Sequence, residues 1–415
     1  MKRFIVACVA LAGVFALVSL VPLIPLVPLS IDAQQPPAAQ RPELAILYTI
    51  DGFSDKAPAR VALPNFQALM AQGVYFRQNY TVQTADPSNR FPPSPWAENG
   101  YTSSVPNVVQ MSGTAMILPG KQKYVQDSFF PLKITAHVVN EISYRSLDGS
   151  FHYTAQAGGS RMRAAGFKVG NDRTLFWATT FLREVDPSFM WIHMQDTGVA
   201  AGESRSAPAG SPYKDNIWGD GSPYIKALQQ QDVYMGQFVD ALKKSGKWEK
   251  TVMFITGDHG EQTAGGHPSN VPEAWTTPLV MVGPGIKKGV TFDYTESIDT
   301  VPTLCHLMGV TPPLNADGRI LAEALVNPPP GVAPRQQKIK EIDFLLLDIE
   351  NALAKLKARP GAATGGQGRF SPLDQAQRDY FDIERILEWH QFGTYDRFIA
   401  HHKELLARLN AMLAK

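Results

Sequence analysis

Cysteine is nearly missing from this sequence: there are two in 415 residues, Cys8 and Cys305. A disulfide framework and a cysteine-rich zinc site are both excluded. Charge of one sign is missing as well. Lys and Arg total 39 against 38 Asp and Glu, a formal net charge of +1. No global basic field exists to hold a nucleic-acid backbone, so nucleic acid is not an expected partner. Charged residues make up only 19% of the chain and apolar residues 44%, which excludes a disordered polyelectrolyte and supplies a core. No internal repeat is found.

Long apolar runs are confined to the N-terminus, where residues 4–29 are uncharged behind Lys2 and Arg3. A basic start followed by an apolar stretch reads as a secretory signal. The run is also long enough to span a bilayer. Pro22, Pro25 and Pro28 break its second half as a helix. Ala33 offers a cleavage point, although Ile31 is not the small residue expected two positions earlier. Residues 1–33 are therefore expected to be a signal peptide or an anchor. The protein is then exported, periplasmic or secreted, and touches a membrane only through an uncleaved N-terminus. Residues 34–42 read as a Pro/Ala/Gln linker.

Residues 43–326 read as one α/β domain. Leu44–Ile50 (LAILYTI) is a continuous apolar run, as in a strand buried on both faces of a parallel sheet. Similar runs are predicted at Phe189–Met194 (FMWIHM), 251–256 (TVMFIT) and 277–282 (TPLVMV). Helices are predicted at 63–72, with Pro64 in the first turn and Gly73 as the stop, and at 224–245. The second helix shows Ile225, Leu228, Val233, Phe238 and Leu242 at roughly helical spacing. Alternating strands and helices predict a mostly parallel central sheet with helices on both faces. Residues 327–335 (NPPPGVAPR) form a linker, and 336–415 a helical C-terminal extension. Helices are expected there at 336–358, from Ser371-Pro372 to about Glu388, and at Tyr395–Leu413, packed on each other or on the main domain.

Chemistry gathers at the strand ends. Asp51 ends the first strand in TIDGFSD, at the edge where parallel sheets bind ligands. Asp258-His259-Gly260-Glu261 ends another and is followed by Gly265-Gly266-His267. A carboxylate beside imidazoles suits zinc, manganese or another divalent ion. Ser104 lies just before Pro106, a good first helical position, where the helix dipole favours an anionic oxygen. Asp196 ends a further strand in HMQDTGVAAGES. Taken singly, Asp51 and Asp196 are also ordinary turn residues and Ser104 an ordinary N-cap.

The ordered set of strand-Asp-Gly, Ser/Thr-x-Pro-Asn, strand-Asp-x-Gly, TGDHGE, GGH and GPGIKKG resembles the alkaline phosphatase superfamily. Within it, the sulfatase-like and type I phosphodiesterase branches are the most similar. The resemblance covers residues 44–325, and SIDTVPTLCHLMGV matches the family's segment before its final strand. It implies an alkaline phosphatase-like fold and metal-dependent hydrolysis of a small-molecule phosphate ester, with a sulfate-ester hydrolase, a membrane-anchored phospho-head-group transferase and a non-catalytic relative with a degraded second metal site as alternatives. It further implies one metal site from Asp51, Ser104, Asp258 and His259, with Ser104 the nucleophile. Asp196 and His267 correspond to a second metal site or to substrate contacts, and His267 would stabilise the leaving oxygen. Zinc is the expected ion, with manganese or calcium as alternatives. Three departures bear on this. Ala200 stands where two-metal relatives carry a histidine. No arginine follows Ser104-Val105-Pro106-Asn107-Val108, as the aldehyde-forming sulfatase signature requires. The spacing from Pro106 to Gly113 is one residue short, which leaves Ser103 as an alternative nucleophile.

Overall fold

A strand of seven apolar or aromatic residues must be covered on both faces, and Leu44–Ile50 (β1) is buried along its whole length. The computed structural model describes residues 41–81, 124–130, 133–140, 151–156, 170–268, 271–313, 316, 318–332, 338–359 and 395–415. After β1 come a short helix α1 (Ala57–Arg60), helix α2 (Pro64–Gln72) and strand β2 (Val74–Tyr80). Strands β3 (Thr135–Val139) and β4 (Tyr153–Gln156) precede helix α3 (Asn171–Glu184). Strand β5 (Phe189–Met194) runs into helix α4 (Asp196–Ser206), and helix α5 (Pro223–Lys244) into strand β6 (Thr251–Gly257). Strands β7 (Thr276–Val282) and β8 (Val290–Glu296) lead to helix α6 (Thr300–Met308). Helices α7 (Lys338–Lys357) and α8 (Tyr395–Leu413) form the extension.

The described strands make one sheet in the order β4-β3-β5-β1-β6-β7-β2-β8. Only β7 runs against the rest, pairing antiparallel with both β6 and β2. Alternation along each strand divides the core. Leu44, Ile46, Tyr48 and Ile50 join Met190, Ile192, Met253 and Ile255 under α2, α3 and α5. Ala45 and Leu47 join Phe189, Trp191, Val252 and Phe254 under α6. The mostly parallel sheet covered on both faces is therefore the observed fold.

Local signals act as the chain predicts. The Ser222 hydroxyl accepts from the Tyr224 N–H at the start of α5. Gly73 ends α2 where a Cβ would lie 2.0 Å from the Met281 carbonyl oxygen. One helix face differs from the reading above. Val233 is exposed, because five residues after Leu228 is about 140° round the helix. The buried face runs instead through Gln231, Asp232 and Met235. Both polar groups are satisfied there. Gln231 donates to the Tyr48 hydroxyl at 2.6 Å, and Asp232 accepts from the Asn65 and Phe66 N–H groups at 3.1 and 2.8 Å.

Helices α7 and α8 share an apolar seam that also takes in Ile298 of the main domain. Leu347 joins Tyr80 and Trp275, and the Tyr294 hydroxyl donates to Asp343 at 2.6 Å. The extension thus packs both on itself and on the β8 side of the sheet. After α6, Leu325 makes only an isolated bridge to Ile286. The helix expected after Ser371 lies outside the described residues, as does the 4–29 apolar run.

Candidate metal centre

Strands β5, β1 and β6 are neighbours and parallel, so their carboxyl ends open on one edge. Residue register does the rest. Ile50 stands opposite both Met194 and Gly257, which sets Asp51 beside the segments that start at Gln195 and Asp258. The turn after β1 is held from three directions. The Gly52 N–H donates to Asp258 Oδ1 at 3.0 Å. The Tyr224 hydroxyl donates to the Gly52 carbonyl at 2.7 Å and accepts from the Ser54 N–H. Thr197 on α4 donates to the Asp51 carbonyl. Gly52 is required twice over: its φ is +62°, and a Cβ would lie 2.6 Å from Glu261 Oε1.

Asp51, His193 and Asp258 each bring one donor atom within 4.8 Å of the other two. His193 Nε2 lies 3.8 Å from Asp51 Oδ2 and 3.5 Å from Asp258 Oδ2. His259 Nε2 lies 3.7 Å from Asp51 Oδ1 and 3.6 Å from Asp258 Oδ2. These separations are too long for hydrogen bonds. A four-coordinate ion with bonds of ~2.1 Å sets its ligand atoms about 3.4 Å apart, close to what is seen. Ring orientation agrees. His259 Nδ1 is 2.8 Å from the Gly260 carbonyl, which can only accept, so Nδ1 carries hydrogen and the Nε2 lone pair faces the carboxylates. Asp258 Oδ1 accepts from the Gly52 and His259 N–H groups, leaving Oδ2 for the cluster. The residues present therefore fit a divalent ion with mixed oxygen and nitrogen ligands.

His267 lies against His259 with ring centroids 3.9 Å apart. Burial, then the neighbouring His259, push its pKa down to about 3, so it is a neutral imidazole. Glu261 is buried beside the same turn. Burial pushes its carboxyl well above the usual range, the Gly266 amide and Arg205 opposing this and Asp258 adding to it.

Asp196 is placed differently from Asp51 and Asp258. Its Oδ2 accepts from the Asn171 N–H at 2.8 Å, at the start of α3, and Oδ1 is 3.4 Å from Asn140 Nδ2. The α4 residues that face Asp51 are Thr197 and Gly198. Ala200 is buried in the same helix. Ser103 and Ser104 lie outside the described residues. The segment that contains them leaves β2 at Thr81, on the same sheet edge as Asp51 and Asp258.

Sequence reasoning missed His193. Its signal was a histidine inside an otherwise apolar strand, three residues before Asp196. Gly198 was missed as well. It looks like any helical glycine, yet a Cβ there would stand 1.8 Å from Asp51 Oδ1.

Residues 152–310 match the sulfatase family model. The multifunctional alkaline phosphatase superfamily protein PehA of Trinickia caryophylli is 29% identical over 114 residues, 26% of this chain and 22% of that protein. Choline-sulfatase of Rhizobium meliloti is 26% identical over 200 residues, 42% of this chain and 39% of the relative. The chain thus spans about a fifth to two fifths of these curated relatives. Phosphonate monoester hydrolase from Silicibacter pomeroyi superposes with a TM-score of 0.53 at 18% identity, over 72% of this chain and 78% of that structure. The fold is alkaline phosphatase-like. The segment that matches the sulfatase family model contains Asp196, Asp258, His259 and His267.

Proposed function

We propose that the protein is an exported, metal-dependent hydrolase of phosphate esters, mono- or di-esters, acting through a covalent serine. The observation that carries this is the convergence of Asp51, His193, Asp258 and His259 at the carboxyl edge of three adjacent strands. These four residues would hold one divalent ion, zinc first. When bound, that ion supplies positive charge to neutralise an ester oxygen and to ease loss of a hydroxyl proton. Ser104 attacks the phosphorus in line, the bond to the leaving oxygen breaks, and a phosphoserine remains for water to hydrolyse. His267, neutral and lying on His259, meets the leaving oxygen. Asp51 and Asp258 need no movement to act, since Gly52, Thr197 and Tyr224 hold their turn. Asp196, whose Oδ2 accepts from the Asn171 N–H, would serve a second metal site with His267.

Sulfate esters are the second reading, favoured by the sulfatase match over residues 152–310. The missing arginine after Pro106 supports an unmodified serine and hence the phosphate reading. Mass spectrometry of acid-quenched protein with an aryl phosphate is expected to find label on Ser104, and Ser104→Ala to keep metal but lose turnover. Label on Ser103, or aryl sulfates turned over far faster than phosphates, overturns the assignment.

A further inference from the structure

Basic residues on the segments flanking the metal centre are mostly committed. Lys56 pairs with Glu273 at 3.0 Å. Lys214 pairs with Asp215 at 2.8 Å and also donates to the Arg205 carbonyl. Arg60 lies 5.1 Å over the Trp218 ring. Arg205, in the last turn of α4, is exposed, and among the described residues its guanidinium acts on the buried Glu261 and on His267 through its charge, without a hydrogen bond. Its place is nonetheless defined. A Cβ on Gly266 would stand 2.9 Å from Arg205 Nη1 and 3.6 Å from Cζ. A Cβ on Gly265 would stand 3.5 Å from Arg205 Cβ and 2.3 Å from the Ala201 carbonyl. Both glycines have positive φ, +84° and +87°. The paired glycines thus let the loop lie on α4 and leave the guanidinium in the space that a side chain would fill. The next residue is His267, whose ring rests on His259. From the carboxylates the order is His259, then His267 stacked on it, then Arg205 against Gly266, the residue before His267.

We propose that Arg205 is a specificity residue whose guanidinium receives an oxyanion carried on the leaving group of the ester. This rests on the hydrolase reading above, in which His267 faces the leaving oxygen. A planar fork of donors without a hydrogen bond to a described residue suits a carboxylate or a sulfo group. Its position beyond two imidazoles puts it out of direct contact with the reacting atom. The preferred substrate class is therefore an ester whose leaving group bears a second negative charge.

The test is calorimetric titration of the zinc-loaded full chain with three non-hydrolysed probes: phenylphosphonate, 4-carboxyphenylphosphonate and 4-sulfophenylphosphonate. The wild type is expected to bind at least one of the doubly anionic probes about tenfold or more tightly than phenylphosphonate. Arg205→Gln should bring that ratio to about one, Arg205→Lys should keep part of it, and zinc content should stay the same in both. The carboxylate and sulfo arms show which oxyanion fits. A ratio near one in the wild type, or a ratio unchanged in Arg205→Gln, overturns the proposal while leaving the hydrolase reading standing. If no phosphonate binds and zinc is not retained, the hydrolase reading falls and this proposal with it.

Discussion

Gly198 offers the sharpest test of the metal centre, because the same helix contains its own control. In α4, a Cβ on Gly198 would stand 1.8 Å from Asp51 Oδ1 and 2.7 Å from Asp51 Cγ, whereas a Cβ on Gly202 would meet nothing within 4 Å. Real Cβ atoms essentially never approach closer than 3.0 Å, so Gly198→Ala must drive the Asp51 oxygen away by more than about 1 Å. The helix itself cannot yield easily. Thr197 is bonded to the Asp51 carbonyl and Asp196 to the Asn171 N–H. The carboxylate therefore turns, and the donor separations of 3.5–3.8 Å that match an ion are lost.

Disturbing the support of a metal ligand costs roughly 10–100-fold in affinity, and that is the loss expected for Gly198→Ala in zinc competition against a chromophoric chelator. Gly202→Ala should bind zinc as the wild type does. Both alanines gain helix propensity, up to about 1 kcal/mol each, so neither variant should melt much below the wild type without metal. This separates a displaced ligand from an unfolded chain. Wild-type zinc affinity in a folded Gly198→Ala protein would refute the assignment of Asp51 as a ligand.

Three further outcomes are expected. Asp258→Asn keeps an oxygen for the Gly52 and His259 N–H groups but offers an amide nitrogen to the cluster, so it should fold normally yet lose zinc by metal analysis; retained stoichiometric zinc would count against the site. Asp232→Ala strips acceptors from the Asn65 and Phe66 N–H groups and from Asn65 Nδ2, which should cost about 2–3 kcal/mol by urea unfolding; a loss under about 0.5 kcal/mol would mean that water serves the start of α2 equally well. Asp55 has its folded-state pKa raised, burial outweighing the Gln78 hydrogen bond. Its stabilising contribution is thus complete below the unfolded-chain value and is lost as pH rises through the folded one. Asp55→Asn should accordingly be more stable than wild type at pH 7 and lose that advantage near pH 3; equal unfolding midpoints at both pH values would remove Asp55 as the cause.

How much of this was legible in the sequence depended on whether a residue announces itself along the chain. Leu44–Ile50 and Phe189–Met194 are continuous apolar runs bounded by polar turns, and they form strands at those limits. Asp51, Asp258 and His259 were readable because each follows such a run directly. His193 was not, since one histidine inside FMWIHM breaks no pattern, and only the pairing of β5 with β1 brings it to the carboxylates. The face of α5 was misjudged for a related reason. Val233 fits a loose apolar rhythm, but Asp232 and Gln231 are buried by partners on α2 and β1 that the helix sequence alone does not reveal.

The same consideration explains why one helix matters more to the centre than its composition suggests. Helix α4 has no pronounced apolar stripe and contributes no donor to the cluster. Its first turn, however, grips the Asp51 carbonyl through Thr197 and confines the Asp51 carboxylate through Gly198. Its last two turns seat the loop that delivers His267, through Ala201 and Arg205. The two halves of the site, one from β1 and one from the segment after β6, are thereby referred to a single rigid element about 16 Å long. A shift of α4 along its axis would move both halves together and preserve their spacing. A change at either end alone would separate Asp51 from His267. Damage confined to one end of α4 is therefore the more harmful to the centre.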